Sequence, residues 1–139
     1  YFMFLFRLVI FLFVLNIFGK AIADAVTVLA QTAAIADAAA TLIANEVDIP
    51  DSPAIIRKPA NELTPDSDLG SRLVTVGLKE IKQEEINEAV NRGLTIATKY
   101  QKRGLIKAAW ISLRGTVKIV APQNLSTQEN QNSKIRNLQ

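Results

Sequence analysis

The sequence predicts an α+β chain: one long N-terminal helix, serving as a membrane span or an assembly stem, then a small mixed head with a second helix and a short antiparallel hairpin. Three observations point there. Residues 1–18, YFMFLFRLVIFLFVLNIF, are almost continuously apolar. Residues 20–46 are alanine-rich and contain neither glycine nor proline. Residues 83–103 open with Glu84, Glu85 and Glu88, close with Lys99, Lys102 and Arg103, and are followed by Gly104.

A helix through the leading apolar run would be about 27 Å long, close to the roughly 30 Å hydrocarbon core of a bilayer. A secretory leader is one fate for it, with Arg7 as the basic lead-in, Leu8 to Phe18 as the apolar core and Ala21-Ile22-Ala23 as a small-residue cleavage site before Asp24. The chain as it stands retains the segment, which favours an anchor or packing element: a single membrane span, or the buried stem of a filament subunit. Arg7 then snorkels to headgroups or pairs with an acid of a neighbouring subunit.

From Lys20 to Glu46 helix propensity is uniformly high, and Ile22, Ala25, Val26, Leu29, Ala33 and Ala36 make a stripe at three-to-four spacing. The expected product is one helix over 1–46, with 1–19 as its membrane-spanning or filament-core part. Ala21-Ile-Ala-Asp-Ala recurs at Ala34, but thirteen residues on it faces another side of a helix. Proline at position 50 ends the helix, and 47–70, holding four prolines, reads as an extended loop pinned by Ala54-Ile55-Ile56.

The head is expected over 71–122. Leu73-Val74-Thr75-Val76 alternates like a short strand. The helix Gln83 to Arg103 places its charges to suit the helix dipole, and Ile86, Val90, Leu94, Ala97 and Tyr100 share a face. Gly93 inside it weakens the helix or marks a close packing contact. Lys107 to Leu113, Arg114-Gly115 and Thr116 to Val120 fit a hairpin, with a helix over Leu105 to Leu113 as the competing reading. Residues 123–139 form a polar tail.

Composition narrows the chemistry. The chain has 139 residues, net charge +3, no cysteine and no histidine. Disulfides, thiolate or imidazole metal sites, cysteine nucleophiles and the usual histidine base are all excluded. Glu84, Glu85 and Glu88 supply carboxylates, yet the helix dipole accounts for them and no nucleophile or phosphate-loop motif accompanies them. No catalytic residue, cofactor or metal is expected. Charge is segregated, with −6 over residues 21–70 and +7 over 71–139, which invites contacts within a subunit or between neighbours. The candidate contacts for an anionic partner or another subunit are Arg7, Lys99, Lys102, Arg103, Lys107, Arg114 and Lys118. With Tyr100 and Trp110 interleaved, six of these resemble a phosphate-tracking surface in composition. Helix-end charge and a core tryptophan explain the same pattern more economically, so nucleic acid ranks below structural or headgroup contacts.

The apolar lead and the alanine-rich stretch Ala30-Gln31-Thr32-Ala33-Ala34-Ile35-Ala36-Asp37-Ala38-Ala39-Ala40 resemble the stems of type IV pilin-like and tight-adherence minor pilins, while Leu5 and Arg7 depart from that pattern. The resemblance implies a non-enzymatic filament or envelope subunit that meets bilayer or identical subunits through residues 1–46, at a membrane or cell surface. The alternatives are a single-span accessory subunit of a membrane complex and a viral membrane or capsid-associated protein.

Overall fold

Val26, Thr27 and Val28 turn the architecture away from the expected stem. Three β-branched residues in a row lose side-chain freedom in a helix and suit a pleated strand, and in the computed structural model they lie in one. The structure describes residues 22–122 and the backbone of 9–14. The elements are β1 (Val9–Val14), β2 (Ala25–Ala30), α1 (Ala33–Glu46), β3 (Ile55–Pro59), α2 (Ala60–Leu63), β4 (Leu73–Leu78), α3 (Gln83–Lys102), β5 (Ala108–Leu113) and β6 (Thr116–Val120).

The single helix expected over 1–46 is therefore replaced by strand, strand and a shorter helix. Thr32 supplies the boundary. Its hydroxyl accepts from the Ile35 amide at 3.2 Å and caps α1, which starts one residue later. No helix among the described residues is long and apolar enough to cross a membrane, so the expected single transmembrane helix does not hold there. Among the described residues, the alanine-rich stretch that carried the pilin resemblance is divided between strand β2 and helix α1 and forms no continuous stem. Arg7, Lys20 and the tail 123–139 lie outside the described residues.

Four strands form one antiparallel sheet in the order β1-β2-β5-β6, and β3 pairs with β4 in a separate antiparallel ribbon. The stretch 47–70, expected as loop, thus contributes β3 and α2. The ribbon carries a register shift between Ile56 and Arg57, and the loop joining its strands is closed by Ala60 N to Arg72 O at 2.9 Å and Asn61 N to Gly70 O at 2.9 Å.

Both long helices pack on one face of the four-stranded sheet, α1 against β1 and β2, α3 against β5 and β6, and they also touch each other. Between the layers sit Val26 and Val28 from β2, Ile111 and Leu113 from β5, Ile43 from α1 and Val90 from α3, all fully buried. Each such aliphatic side chain stabilises the fold by about 1.5 to 3 kcal/mol. The buried face of α1 is otherwise Ala36, Ala39, Ala40 and Ala44, small enough for the helix to lie close to its neighbours. Alanine richness here serves tight packing inside a domain.

The helix α3 matches its sequence signature. Ile86, Val90 and Ala97 are buried, with Leu94 and Tyr100 packed beside them, and Gly104 at φ 72° terminates it. At the front, the Glu85 carboxylate accepts from the Lys82 amide at 3.2 Å and from the Ser52 hydroxyl at 2.7 Å. Ser52 in turn accepts from the Ala54 amide at 3.3 Å, so this pair ties the 50–54 loop to α3. The Ser52 hydrogen bond, followed by that from the Lys82 backbone, holds the Glu85 pKa below its usual value.

Two expectations follow. A Cβ built on Gly93 would stand 2.5 Å from Val47 Cγ2 and 3.4 Å from Ile111 Cδ1. Gly93→Ala, which stabilises an ordinary helix by about 1 kcal/mol, should here destabilise by about 1 to 3 kcal/mol through overpacking. Chemical denaturation should show partial recovery when Val47→Ala is added. Second, because the folded pKa of Glu85 is lowered, its contribution is present above its unfolded pKa and lost as pH falls through the folded one. Ser52→Ala should raise the Glu85 pKa, read by carboxyl-carbon NMR titration, and flatten the stability profile across that acidic window. An unchanged titration would refute the coupling.

Candidate functional site

The side of the four-stranded sheet away from the helices carries the most unusual surface. Strand alternation sends Val26, Val28 and Ala30 toward the helices and leaves Ala25, Thr27 and Leu29 on the other face, half-buried. The register sets Thr27 opposite Trp110, Leu29 opposite Ala108, Trp110 opposite Ile119 and Ser112 opposite Val117. Cross-strand partners share a face. An uncharged surface results, with Ile119 61% and Val117 41% exposed at its β6 side. Thr27, Leu29, Ala108, Trp110 and Ile119 border a shallow depression of about 200 Å³. On the far side of β2 the sheet continues into β1, whose Leu12 and Ile10 stand in register with Thr27 and Leu29.

Trp110 was expected in the core. It is half-buried on this open face, while its neighbours Ala109 and Ile111 enter the core. The residues that make the face are hard to find because the outward positions of β5, Ala108, Trp110 and Ser112, include only one polar residue, so no clear polar alternation marks the outward side. The hairpin reading did contain the signal, since once β5 is a strand its odd and even positions must part company.

The hairpin is shaped by its turn. Arg114 has φ 48° and Gly115 φ 80°, the left-handed pair that matches the twist of a two-residue hairpin loop. Arginine is an uncommon choice for that conformation, and the Asp24 carboxylate supports it by accepting from the Arg114 amide at 2.5 Å. The Asp24 amide donates to Ser112 O at 2.9 Å, so Asp24 fastens the start of β2 to the hairpin.

The basic residues singled out from sequence divide. Lys99, Lys102 and Arg103 share a surface groove at the end of α3 with Leu94, Thr95 and Thr98. Lys107 leads into β5 and its amide donates to Leu29 O at 2.7 Å. Arg114 sits at the other end of β5, about 20 Å away for six residues at about 3.3 Å each. Lys118 pairs with buried Ile111 and so lies half-buried on the helix side of the edge strand. Arg7 lies outside the described residues. Three of the seven are thus brought together.

Among the described residues no three histidine, cysteine, aspartate or glutamate side chains are grouped to hold a metal. Of the glutamates opening α3, Glu85 is engaged as a helix cap and loop tie.

No curated protein and no solved structure matches the chain. A family model, described as AbpE bacteria, matches residues 18–119, a span that takes in β2, both long helices, the β3-β4 ribbon and nearly all of the hairpin. The chain therefore belongs to the AbpE bacteria family.

Proposed function

We propose that this chain is a non-enzymatic assembly subunit whose copies pack sheet to sheet through the open face. The observation that carries the reading is that, within one uncharged patch, the highly exposed Ile119 stands at the rim of a depression that it borders together with Thr27, Leu29, Ala108 and Trp110. A twofold axis through such a patch lets each copy's Ile119 enter the other's depression, the self-complementarity that an isologous contact requires. Like meets like without electrostatic cost because no ionisable side chain stands among these residues. Trp110 adds a large rigid anchor of the type enriched in contact centres.

Size sets the strength. Four strands about 4.8 Å apart and about 20 Å long give each face a footprint of about 400 Å². Two faces stacked about 10 Å apart then bury on the order of 800 to 1,000 Å², below the roughly 1,200 Å² at which stable specific contacts begin and in the range of weak, transient ones. The association is accordingly weak and dependent on concentration. The absence of cysteine and histidine from the chain and the structural employment of Glu85 favour a role without catalysis.

Sedimentation velocity over a wide concentration range tests this. The wild-type chain should show a reversible self-association, and Ile119→Lys should weaken it by about tenfold or more with an unchanged circular dichroism spectrum. Lys99→Glu, away from the face, should leave it unaltered. A chain that stays monomeric at every concentration, that associates equally well as Ile119→Lys, or that associates only with a different polypeptide would overturn the proposal.

A further inference from the structure

A second cleft, of about 300 Å³, opens where the end of α1 meets the β3-β4 ribbon, and it is bordered by Asp48, Pro50, Arg57, Arg72 and Leu73. Its chemistry differs from the open face. Asp48 is only 5% exposed and forms an ion pair with the Arg57 guanidinium. A second terminal nitrogen of Arg57 donates to Pro50 O at 2.8 Å, and Arg57 Nε is buried with no hydrogen-bond partner. Two of five N–H groups are thereby accounted for, so Arg57 is held rigidly with donor capacity to spare.

Across the cleft Arg72 commits its backbone but not its side chain. Its amide donates to Leu69 O at 3.0 Å and its carbonyl accepts from Ala60 N at 2.9 Å, while its exposed guanidinium has no partner among the described residues. The backbone bonds fix where the guanidinium is rooted.

We infer that this cleft binds a single carboxylate attached to a short apolar group, with Arg72 as the primary clamp and Arg57 as the pre-positioned second cation. Charge selects the ligand. Asp48 neutralises Arg57, which leaves the cleft with one net positive charge, matched by one negative charge. A dianionic phosphate would bring one negative charge more than the cleft's net positive charge matches, beside the buried Asp48 carboxylate that Arg57 already neutralises. The planar guanidinium of Arg72 suits the two parallel oxygens of a carboxylate. Pro50 and the half-exposed Leu73 provide apolar walls for the attached carbons. Such a group exists as a peptide C-terminus with an apolar last residue and as a free short-chain acid.

The test is an NMR titration of the full chain at constant ionic strength with N-acetyl-leucine, isovalerate, N-acetyl-leucinamide and inorganic phosphate. Saturable shifts at Arg72, Leu73 and Arg57 are expected with the two carboxylates, and neither the amide nor phosphate should reproduce them. A preference for N-acetyl-leucine identifies a peptide end as the source, and equal affinity identifies the free acid; either supports the site. Arg72→Met should weaken binding by about tenfold or more and Arg72→Lys by less, since lysine keeps the charge but loses the fork. Arg72 is exposed, so both variants should fold as wild type. Absent saturation, equal binding of the amide or phosphate, or unchanged affinity in Arg72→Met would each overturn the inference.

Discussion

The contact between Gly93 on α3 and Val47 at the end of α1 sets the spacing of the helix layer, and the rest of the molecule is built around that spacing. With no side chain at 93, α3 can approach until the Val47 methyl and the Ile111 side chain fill the space a Cβ would take. Val47 is fully buried and ends α1 by donating its amide to Ala44 O at 3.1 Å, while its carbonyl accepts from the Ile22 amide at 3.2 Å. One residue thus joins helix to helix and helix to the strand region. The alanines along α1 extend the same principle: small side chains let dispersion contacts run along the whole layer, and the close-packed interior leaves little room for added atoms.

That constraint explains what could be read from the residues alone. The second helix was legible because its signals agree: acids at its front, bases at its back, an apolar face and a terminal glycine. The hairpin was legible from Arg114-Gly115 between two apolar runs. The first half was not. Alanine, valine and isoleucine between Ala21 and Ile43 satisfy a helical stripe as readily as a strand followed by a helix, and neither glycine nor proline marks the break. The discriminating features were short: three consecutive β-branched residues at 26–28 and a capping threonine at 32. Pairing with β5, distant in sequence, then decides for strand, an influence no local window contains.

The surfaces followed the same division. Charges explained by the helix dipole stayed near the end of α3, whereas Arg114 and Lys118 were carried elsewhere by the strand geometry. Trp110 was misplaced because its apolar neighbours suggested a core, and an apolar residue between two core positions on a strand must point the other way. Arg57 stands in the proline-rich stretch and Arg72 just beyond it, two isolated basic residues that mark no site in the sequence. Only the ribbon, with its shift at Ile56 and Arg57, brings them to one cleft.

For the self-association proposed above, the sheet offers its β6 edge or its face, and the residues of β6 favour the face. Edge pairing through β6 would run along Thr116–Val120, and the charge at Lys118 stands on the helix side of that strand, where a second lysine from an antiparallel partner would be brought close to it. The helix layer blocks relief of that repulsion on one side, and the short strand offers few backbone bonds in return. Face packing places Lys118 on the opposite side of the sheet and asks only that apolar surface leave water. The same strand therefore presents Val117 and Ile119 outward for contact while keeping an inward lysine against lateral growth. Under the proposed contact, stacking two faces consumes both and gives a closed pair, whereas adding a copy through β6 leaves that copy's β1 as an outer edge.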